Sequence, residues 1–591
     1  MTFYWKGCET NMKVDRIIET DVLVVGGGGA AARAALSAAE AGANVRVAIK
    51  SKWLGGGSTA TAFSELLAIA AAIGHADERD QPEIHYEDTL DAGRGFIDPE
   101  LVWTLASEVP DRIQDLMDIG LNFDKQENGK LVQGMSDFAT YPRTCRVNGV
   151  TARHILVALS KQIKKHNVPI DEHMMVFKLV TDQNQNISGA LAIHRETKEL
   201  VLYKTPSVIL ACGGAHHIYK YAVGTPDMTG NGYAMAYELG IPLINMEFIQ
   251  IGPGAINPSI TLLSGPVWKT KPILKNDKGE NILEKYVPPH IPIDDVYKKK
   301  VFPFTISTAA YYFDTSIQKE LELNPTPNGG VWCTMPPGSE DIVQQKMPKT
   351  GGVLKSKGIN IFEDQFEVAL VAQCMNGGAL IESPDGTTKI SGLFIAGETA
   401  GGVRGPDRPG GNSLAEGQVF GHRTGQAAAA HAEKAMINGS AEKESLGALV
   451  HLSDLIANSY GDKDLVQAIN TLKEVMYKNC LVIRNEQRLN TALTHIDELE
   501  RSMDAGEFII DKENLFTAID LKHMLITSRA IVIAAKTRTE SRSCHFREDY
   551  PEKDDSNWIK SIYVTQENGE MQVGTRHWPN NRSSERSEIK R

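Results

Sequence analysis

The stretch DVLVVGGGGAAARAALSAAEAGANVRVAIK, residues 21–50, constrains the fold more than any other part of the chain. Val22 to Val25 make a short apolar run of the kind a buried parallel strand requires. Gly26, Gly28 and Ala31 follow in G-x-G-x-x-A spacing, and an Ala- and Leu-rich segment then predicts a helix that Gly42 stops. Val45 to Ile49 predict a second strand. In this order the pieces open a dinucleotide-binding βαβ unit. Gly26 permits the tight turn, Gly28 lets backbone approach a pyrophosphate, and the small Ala31 lets helix pack on strand. Gly29 and Ala30, in the first turn of the helix, aim N–H groups and partial positive charge at the diphosphate.

The acidic residue that usually ends the second strand and holds an adenosine ribose is missing, because Lys50-Ser51-Lys52 stand there. Ser51 and Lys52 are the candidates for that contact, and at this point FAD and NAD both remain open. A second glycine-rich segment, LFIAGETAGGVRGPDRPGGNSLAEGQVFGHRTGQAAAAHA (393–432), reads as a strand, a loop and an Ala-rich helix that starts near Asn412 or Ser413. Asn412, Ser413 and Leu414 there direct unpaired helix N–H groups toward a ligand, and Glu398 is placed for a sugar or ribityl hydroxyl. VILACGG (208–214) is another strand running into a glycine turn, at Gly213 and Gly214. Three such segments, far apart in the chain, predict one interrupted domain with other domains inserted in its loops.

Composition narrows the remaining classes. A chain of 591 residues predicts three or four domains. With 62 Lys and Arg against 74 Asp and Glu, a net charge of −12 disfavours a nucleic-acid binder. There is no run of 18 apolar residues, the greasy stretch from Leu66 to Ile73 being far too short, so no membrane insertion is expected. MTFYWKGCETNMK has neither an apolar core nor a twin arginine, which predicts an unexported, cytoplasmic protein. The seven cysteines are scattered without a Cys-x-x-Cys, so no metal site, iron–sulfur cluster or covalent haem is expected on this chain.

VVGGGGAAARAAL, ILACGG, NMEFIQ and LFIAGETAGGVRGPDRPGGNSL, in that order, resemble the flavoprotein subunits of fumarate reductase and succinate dehydrogenase, a family that includes L-aspartate oxidase and adenylylsulfate reductase alpha subunits. TESRSCHFREDYPEKDDSNWIKSI (539–562) is similar to the C-terminal signature of that family. The resemblance implies an α/β fold: a Rossmann-like FAD-binding domain with an inserted α+β capping domain, then a helical domain and a small C-terminal domain. The expected boundaries are 18–255 and 359–435 for the two parts of the FAD-binding domain, 256–358 for the cap, 440–540 for the helical domain and 541–591 for the C-terminal domain and tail. Residues 256–358 are rich in Pro and Lys without a clear helical period, whereas Leu489, Leu493, Ile496 and Leu499 share one helical face. The segment from about Arg576 reads as a tail.

The resemblance also implies cofactor and site residues. Ser58, Thr59 and Asn231 complete the expected FAD set. Members with covalent flavin carry a histidine where GGGSTATAF (55–63) has Thr59, so noncovalent FAD is expected. In the fumarate-reducing pattern two arginines and two histidines bind substrate and deliver a proton. The clamping arginine matches Arg408, which is retained. The two histidines fall on Gly252 and Gln373, and the proton-donating arginine falls on Trp268. Loss of one such group typically costs about 100-fold or more, which argues against fumarate as the substrate. Lys269 and Lys271 are the candidates for a replacement proton donor, the alternative being that both are solvated surface lysines, and Tyr141, Arg143, His216 and His217 are weaker candidates.

The catalytic set expected is therefore Arg408, Lys269, Trp268 and Gln373, acting on a small-molecule substrate. The leading expectation is an FAD-dependent oxidoreductase subunit that reduces, or forms in reverse, a polarised C=C bond in a carboxylate-bearing compound other than fumarate. An adenylylsulfate-reductase-like or oxidase-like flavoprotein, hinted at by Ser-Gly-Pro-Val (264–267), and a flavin electron-relay subunit are the alternatives. No second nucleotide fingerprint for NAD(P)H is present, so an iron–sulfur electron-transfer subunit is the expected partner, with homo-oligomerisation also open.

Overall fold

The apolar run that opens the chain becomes the central strand of a five-stranded parallel sheet. This is seen in the computed structural model, which describes residues 12–62, 67–147, 149–263, 265–346, 348, 350–435 and 440–578. Leu66, Ser264, the first eleven residues with Cys8, and the tail beyond 578 lie outside the described residues. In chain order the elements that build the site are β1 (Val22–Val25), α1 (Gly29–Glu40), β2 (Val45–Ala48), α2 (Pro82–Gly93), β3 (Ile170–Asp171), β4 (Ser207–Leu210), β5 (Ile249–Ala255), β6 (Phe366–Met375), β7 (Leu393–Ile395) and α3 (Asn412–Lys434). The parallel sheet runs β7-β4-β1-β2-β3. It unites all three glycine-turn segments, since Val22 pairs with Ser207 and Val45, and Val208 pairs with Leu393. Every residue of β1, β4 and β7 is buried, as a strand covered on both faces requires.

Helices α1 and α3 cross closely. A Cβ added at Gly421 would stand 2.7 Å from the Ala30 carbonyl oxygen, and one at Gly425 would stand 2.4 Å from that of Ala34. The four-residue spacing of Gly417, Gly421 and Gly425 therefore has a packing cause: it lays a flat stripe on α3 against α1. α1 therefore starts beside Gly417 and Gln418 of α3, and the two helices run in the same direction.

An antiparallel five-stranded sheet orders Thr261–Leu262, β5, β6, Val331–Thr334 and Ile273–Lys275. It draws β5 and β6 from the flanks expected to belong to the FAD-binding domain, so the inserted cap is anchored by long strands on both sides. Helix Tyr311–Leu323 also lies in the insertion, where the sequence shows no clear period. Its buried face mixes Phe313 and Ile317 with Asp314, Gln318 and Glu320, and polar residues held by partners hide the pattern. Helices Ala441–Ala457, Leu465–Asn479, Glu486–Asp504 and Leu515–Thr537 form the helical unit, with Leu489, Ile496, Leu521, Leu525 and Val532 in the core. The C-terminal hairpin, Ser561–Glu567 and Glu570–Arg576, adds to a sheet through Leu243–Ile244, closing the chain back onto its first half.

Candidate active site

At the end of β1 the backbone of Gly26 has φ +127°, and a Cβ there would lie 2.1 Å from the Ala211 carbonyl oxygen at the end of β4. No side chain fits this turn. Gly28, the N-cap of α1, has extended backbone and no side chain to cap the first turn. Within it, the Gly29 N–H donates to Thr59 Oγ1 at 3.1 Å. Gly411 caps α3 in the left-handed region, φ +92°, again without a side-chain cap. Ser413 Oγ, one residue into α3, is buried without a hydrogen-bond partner.

Further glycines bring the remaining walls close. Gly397, φ +66°, approaches Ala30, where an added Cβ would be 2.6 Å away, and one at Gly214 would be 2.4 Å from Glu398 Oε1. Glu398 also accepts the Met375 N–H at 2.8 Å, while its carbonyl accepts from the Tyr233 hydroxyl at 2.8 Å. Gly213 carries φ +75° beside Met228, and Ser58 Oγ lies 3.2 Å from the Met228 sulfur. Gly26, Gly28, Gly29, Ala30, Thr59, Gly213, Gly214, Glu398 and Ser413 thus converge from distant parts of the chain, and the buried Ala31 holds α1 to the sheet. Two helix N-termini without side-chain caps, glycine walls and an unpaired hydroxyl are what an extended dinucleotide with a diphosphate needs.

The other expected cofactor residues make the following contacts within the chain. Ser51 Oγ donates to Asp227 at 3.0 Å, and Lys52 is exposed, its carbonyl closing the turn at Gly56. Asn231 stands in a buried polar cluster: Lys50 Nζ donates to its Oδ1, to Thr229 and to Asp520, while its Nδ2 faces Asp520 and His523 Nδ1. The Asn412 amide is likewise taken up, by His85 and Thr89. Leu414 is half-buried on the first turn of α3.

Arg408 lies on the loop before α3, and both its Nε and Nη2 donate to Gln250 Oε1, at 3.3 and 2.9 Å. Gln250 is fully buried on β5. Register between β5 and β6 shifts at this point: Gln250 pairs with Cys374 and Ile251 with Ala372, leaving Gln373 as the extra residue of a bulge. Gln250 Nε2 and Gln373 Oε1 are both buried without partners. Next along β5, an added Cβ at Gly252 would lie 2.2 Å from the Phe302 ring, so an aromatic fills the space a side chain there would take.

Trp268 does not line this opening. It is wholly buried, its indole N–H donates to the Leu263 carbonyl at 2.9 Å, and its ring stacks at 5.3 Å from Phe313, so it packs the cap. Lys269, beside it, is exposed. The charges of Lys269 and Arg408 both act on Asp137, whose carboxyl burial nevertheless pushes above the usual range. Asp137 is the residue the linear pattern misses, and what brings it here is its backbone carbonyl, which accepts the Gly410 N–H. Lys271 pairs with Asp294 at the surface, Arg143 is locked between Asp80 and Asp88, and Tyr141 stacks under Arg79. His216 and His217 are packed beside one another, and burial lowers His217 to about 3, so its ring stays neutral.

The fold and the cradle define a flavin-dinucleotide-binding oxidoreductase. The sequence matches the FAD binding domain family over residues 21–414 and the fumarate reductase flavoprotein C-terminal family over residues 469–586. The chain belongs to the fumarate reductase/succinate dehydrogenase flavoprotein family and is an FAD-dependent oxidoreductase. It is 33% identical over 563 residues to a subunit of the fumarate reductase (CoM/CoB) of Methanothermobacter marburgensis, covering 93% of this chain and 97% of that one. It is 27% identical to the fumarate reductase flavoprotein subunit of Haemophilus influenzae, covering 94% of each. Among solved structures, Mycobacterium smegmatis Sdh1 in complex with UQ1 superposes with a TM-score of 0.82 at 27% identity, covering 96% of this chain and 95% of that one. Adenylylsulfate reductase from Archaeoglobus fulgidus shares the fold, with a TM-score of 0.70 at 20% identity over 98% of this chain and 99% of that one.

Among the described residues, no group of three or more His, Cys, Asp or Glu side chains is gathered as for a metal ion, and none of the six described cysteines is in a disulfide. No helix among them is long and apolar enough to cross a membrane.

Proposed function

We propose that this flavoprotein catalyses the two-electron reduction, or the reverse oxidation, of a polarised C=C bond in a carboxylate-bearing substrate other than fumarate. The observation that carries this reading is the Arg408–Gln250 pair. A half-buried guanidinium, aligned by a buried amide, offers one carboxylate a fixed cationic seat. Gly252, Gln373 and Trp268, at the positions matched to the other polar groups of the fumarate-reducing pattern, supply no second cation, and Phe302 makes the wall beside Gly252 apolar.

FAD supplies or takes up the electron pair as a hydride equivalent. The chain's own residues do the rest. Gly28, Gly29, Gly411 and Ser413 hold the diphosphate side, and Glu398 and Gly214 the ribityl side. Arg408 orients the carboxylate, Phe302 excludes water, and Lys269 with Asp137 holds an exchangeable proton at the rim. Thr59 in place of a histidine supports noncovalent attachment. Acid precipitation then leaves a colourless pellet and a yellow supernatant.

Relatives named as subunits support an electron-carrying partner, which we take to be an iron–sulfur protein in the cytoplasm. The test is turnover of full-length holoprotein with reduced viologen. A panel of enoates should be reduced by the wild type, and Arg408→Leu should lose at least about 100-fold in kcat/KM. Intact turnover in Arg408→Leu defeats the reading, and so does fumarate as the best substrate. Unchanged dye-to-dye electron transfer with no enoate reduced by the wild type favours a relay subunit instead.

A further inference from the structure

We infer that the chain carries a second anion site, apart from the FAD cradle, and that this site takes a nucleoside monophosphate. The inference goes beyond the proposed reaction and does not depend on it. The site is a cavity of about 280 Å3 at a junction of the chain. The turn after strand Ile187–His194, the loop ahead of Asn231, and helices Leu465–Asn479 and Leu515–Thr537 of the helical unit meet there. Arg195, Lys198, Lys473, Phe516, Thr517 and Asp520 are among its walls, and none of the residues of the FAD cradle lines it.

Charge without a partner sets this cavity apart. Lys473 is half-buried and has no hydrogen bond or ion pair among the described residues. Burial lowers it from the ordinary lysine value, while Asp520 and Lys50 act on it in opposite senses. Arg195 forms no ion pair, and its guanidinium is held 4.8 Å over the Phe516 ring. Lys198 Nζ donates only to the backbone carbonyl of Arg195. Asp520, the one carboxylate in the wall, already accepts from Lys50, Thr229 and Asn231. Three cations and no free acid therefore face one hollow, in a chain whose net charge is −12. A phosphate monoester brings about −1.5 to −2 of charge at neutral pH and three acceptor oxygens, which matches them.

Size and lining select the rest of the ligand. The cavity is about nine times the ~30 Å3 that one water takes in the liquid, so inorganic phosphate leaves most of it open. Phe516 and Met524, both buried, give it an apolar floor. The Arg195 guanidinium over the ring offers a plane on which a base stacks. Thr517, whose hydroxyl has no partner among the described residues, offers a contact to the sugar. Arg195 and Lys198 belong to the first half of the chain and Lys473 and Phe516 to the helical unit, so the ligand ties the two together.

The experiment is equilibrium dialysis of full-length, FAD-loaded protein against radiolabelled AMP, with inorganic phosphate and adenosine as competitors. One AMP should bind per chain while FAD content stays unchanged. AMP should bind at least about 10-fold more tightly than phosphate or adenosine, each of which forgoes half of the contacts. Lys473→Met and Arg195→Ala should each weaken AMP by at least about 10-fold while keeping FAD and melting like the wild type. Absence of AMP binding at millimolar concentration overturns the inference. Phosphate binding as tightly as AMP also overturns it, because the site is then a simple anion seat. So does AMP uptake by FAD-free protein alone, reversed by FAD, which assigns the cavity to the adenosine of the cofactor. None of these readouts needs turnover, so failure here is distinct from failure of the proposed reaction.

Discussion

His85 Nε2 lies 2.9 Å from Asn412 Oδ1, and the same Asn412 amide donates through Nδ2 to Thr89 Oγ1 at 3.0 Å. The first residue of α3 is therefore tied to α2 from inside the core, and the ring acts as donor at Nε2. The helix start that faces the diphosphate is only as well placed as this tie. Replacing Asn412 by Ala leaves His85 and Thr89 without these partners, and about 1–3 kcal/mol of stability should be lost. FAD should dissociate more readily as α3 shifts. Thermal melts and flavin-fluorescence titration check both. A variant that melts like the wild type and binds FAD equally well contradicts the role.

Buried histidines make this protein sensitive to acid. Burial lowers His85 and His523 to about 4, from the ordinary value of 6.5. Between those values the unfolded chain takes up protons that the native rings refuse, so their contribution is present above pH ~6.5 and is lost as pH falls toward 4. Each should remove on the order of 2 kcal/mol by pH 5. Glu416 acts oppositely: burial raises it to about 7 against the pull of Arg404, so its contribution is present below about 4.5 and fades as pH rises through 7. Burial also lowers His216, His217, His422 and His545, while it raises Asp80, Asp137, Asp314 and Asp407 as it does Glu416; the histidines outnumber the raised carboxyls, and Tm should fall from pH 7.5 to 5. His523→Gln should flatten that slope, as read by melts across the pH series.

Glycine 425 sits where side-chain volume meets backbone. Gly425→Ala would place a Cβ 2.4 Å from the Ala34 carbonyl oxygen, and separating α1 from α3 should cost about 1–3 kcal/mol despite the better helix propensity of Ala. Gly447, on helix Ala441–Ala457, has nothing within 4 Å of the position a methyl group would take. There Gly447→Ala should stabilise by about 0.5–1 kcal/mol. Opposite signs in urea titrations of the two variants are the expected result.

Lys50 and Asp520 join the nucleotide fold to the helical unit. Their charged atoms are 2.6 Å apart, with side chains 11% and 13% exposed, so removing either partner strands a largely buried charge. Asp520→Ala should cost about 3–5 kcal/mol, whereas the double change Lys50→Met with Asp520→Leu should recover most of it. Denaturation of the three proteins decides. A double variant as unstable as the single one shows that Thr229, Asn231 and His523 need the charge to order them.

What can be read from the residues in a row is the part governed by neighbours in a row. A strand, a glycine turn and a helix follow from apolar runs, from φ beyond the reach of side chains at Gly26, and from Ala-rich periodicity, all within a few residues of each other. The nucleotide turns, the start of α3 at Asn412 and the helical core at Leu489 and Ile496 are legible for that reason. Tertiary structure alone decides what each polar side chain does. Asn231 and Asn412 are expected at the cofactor, and the partners of their amides, Asp520, His523 and His85, come from helices far away in sequence. Trp268 aligns with a charged residue yet fills a core, because Phe313 and the Leu263 carbonyl surround it. The bulge that leaves Gln373 unpaired beside the Gln250–Cys374 pair depends on the register of two strands more than a hundred residues apart. Backbone preference is local, whereas pairing, burial and charge depend on which distant elements meet, and the chain order does not record that.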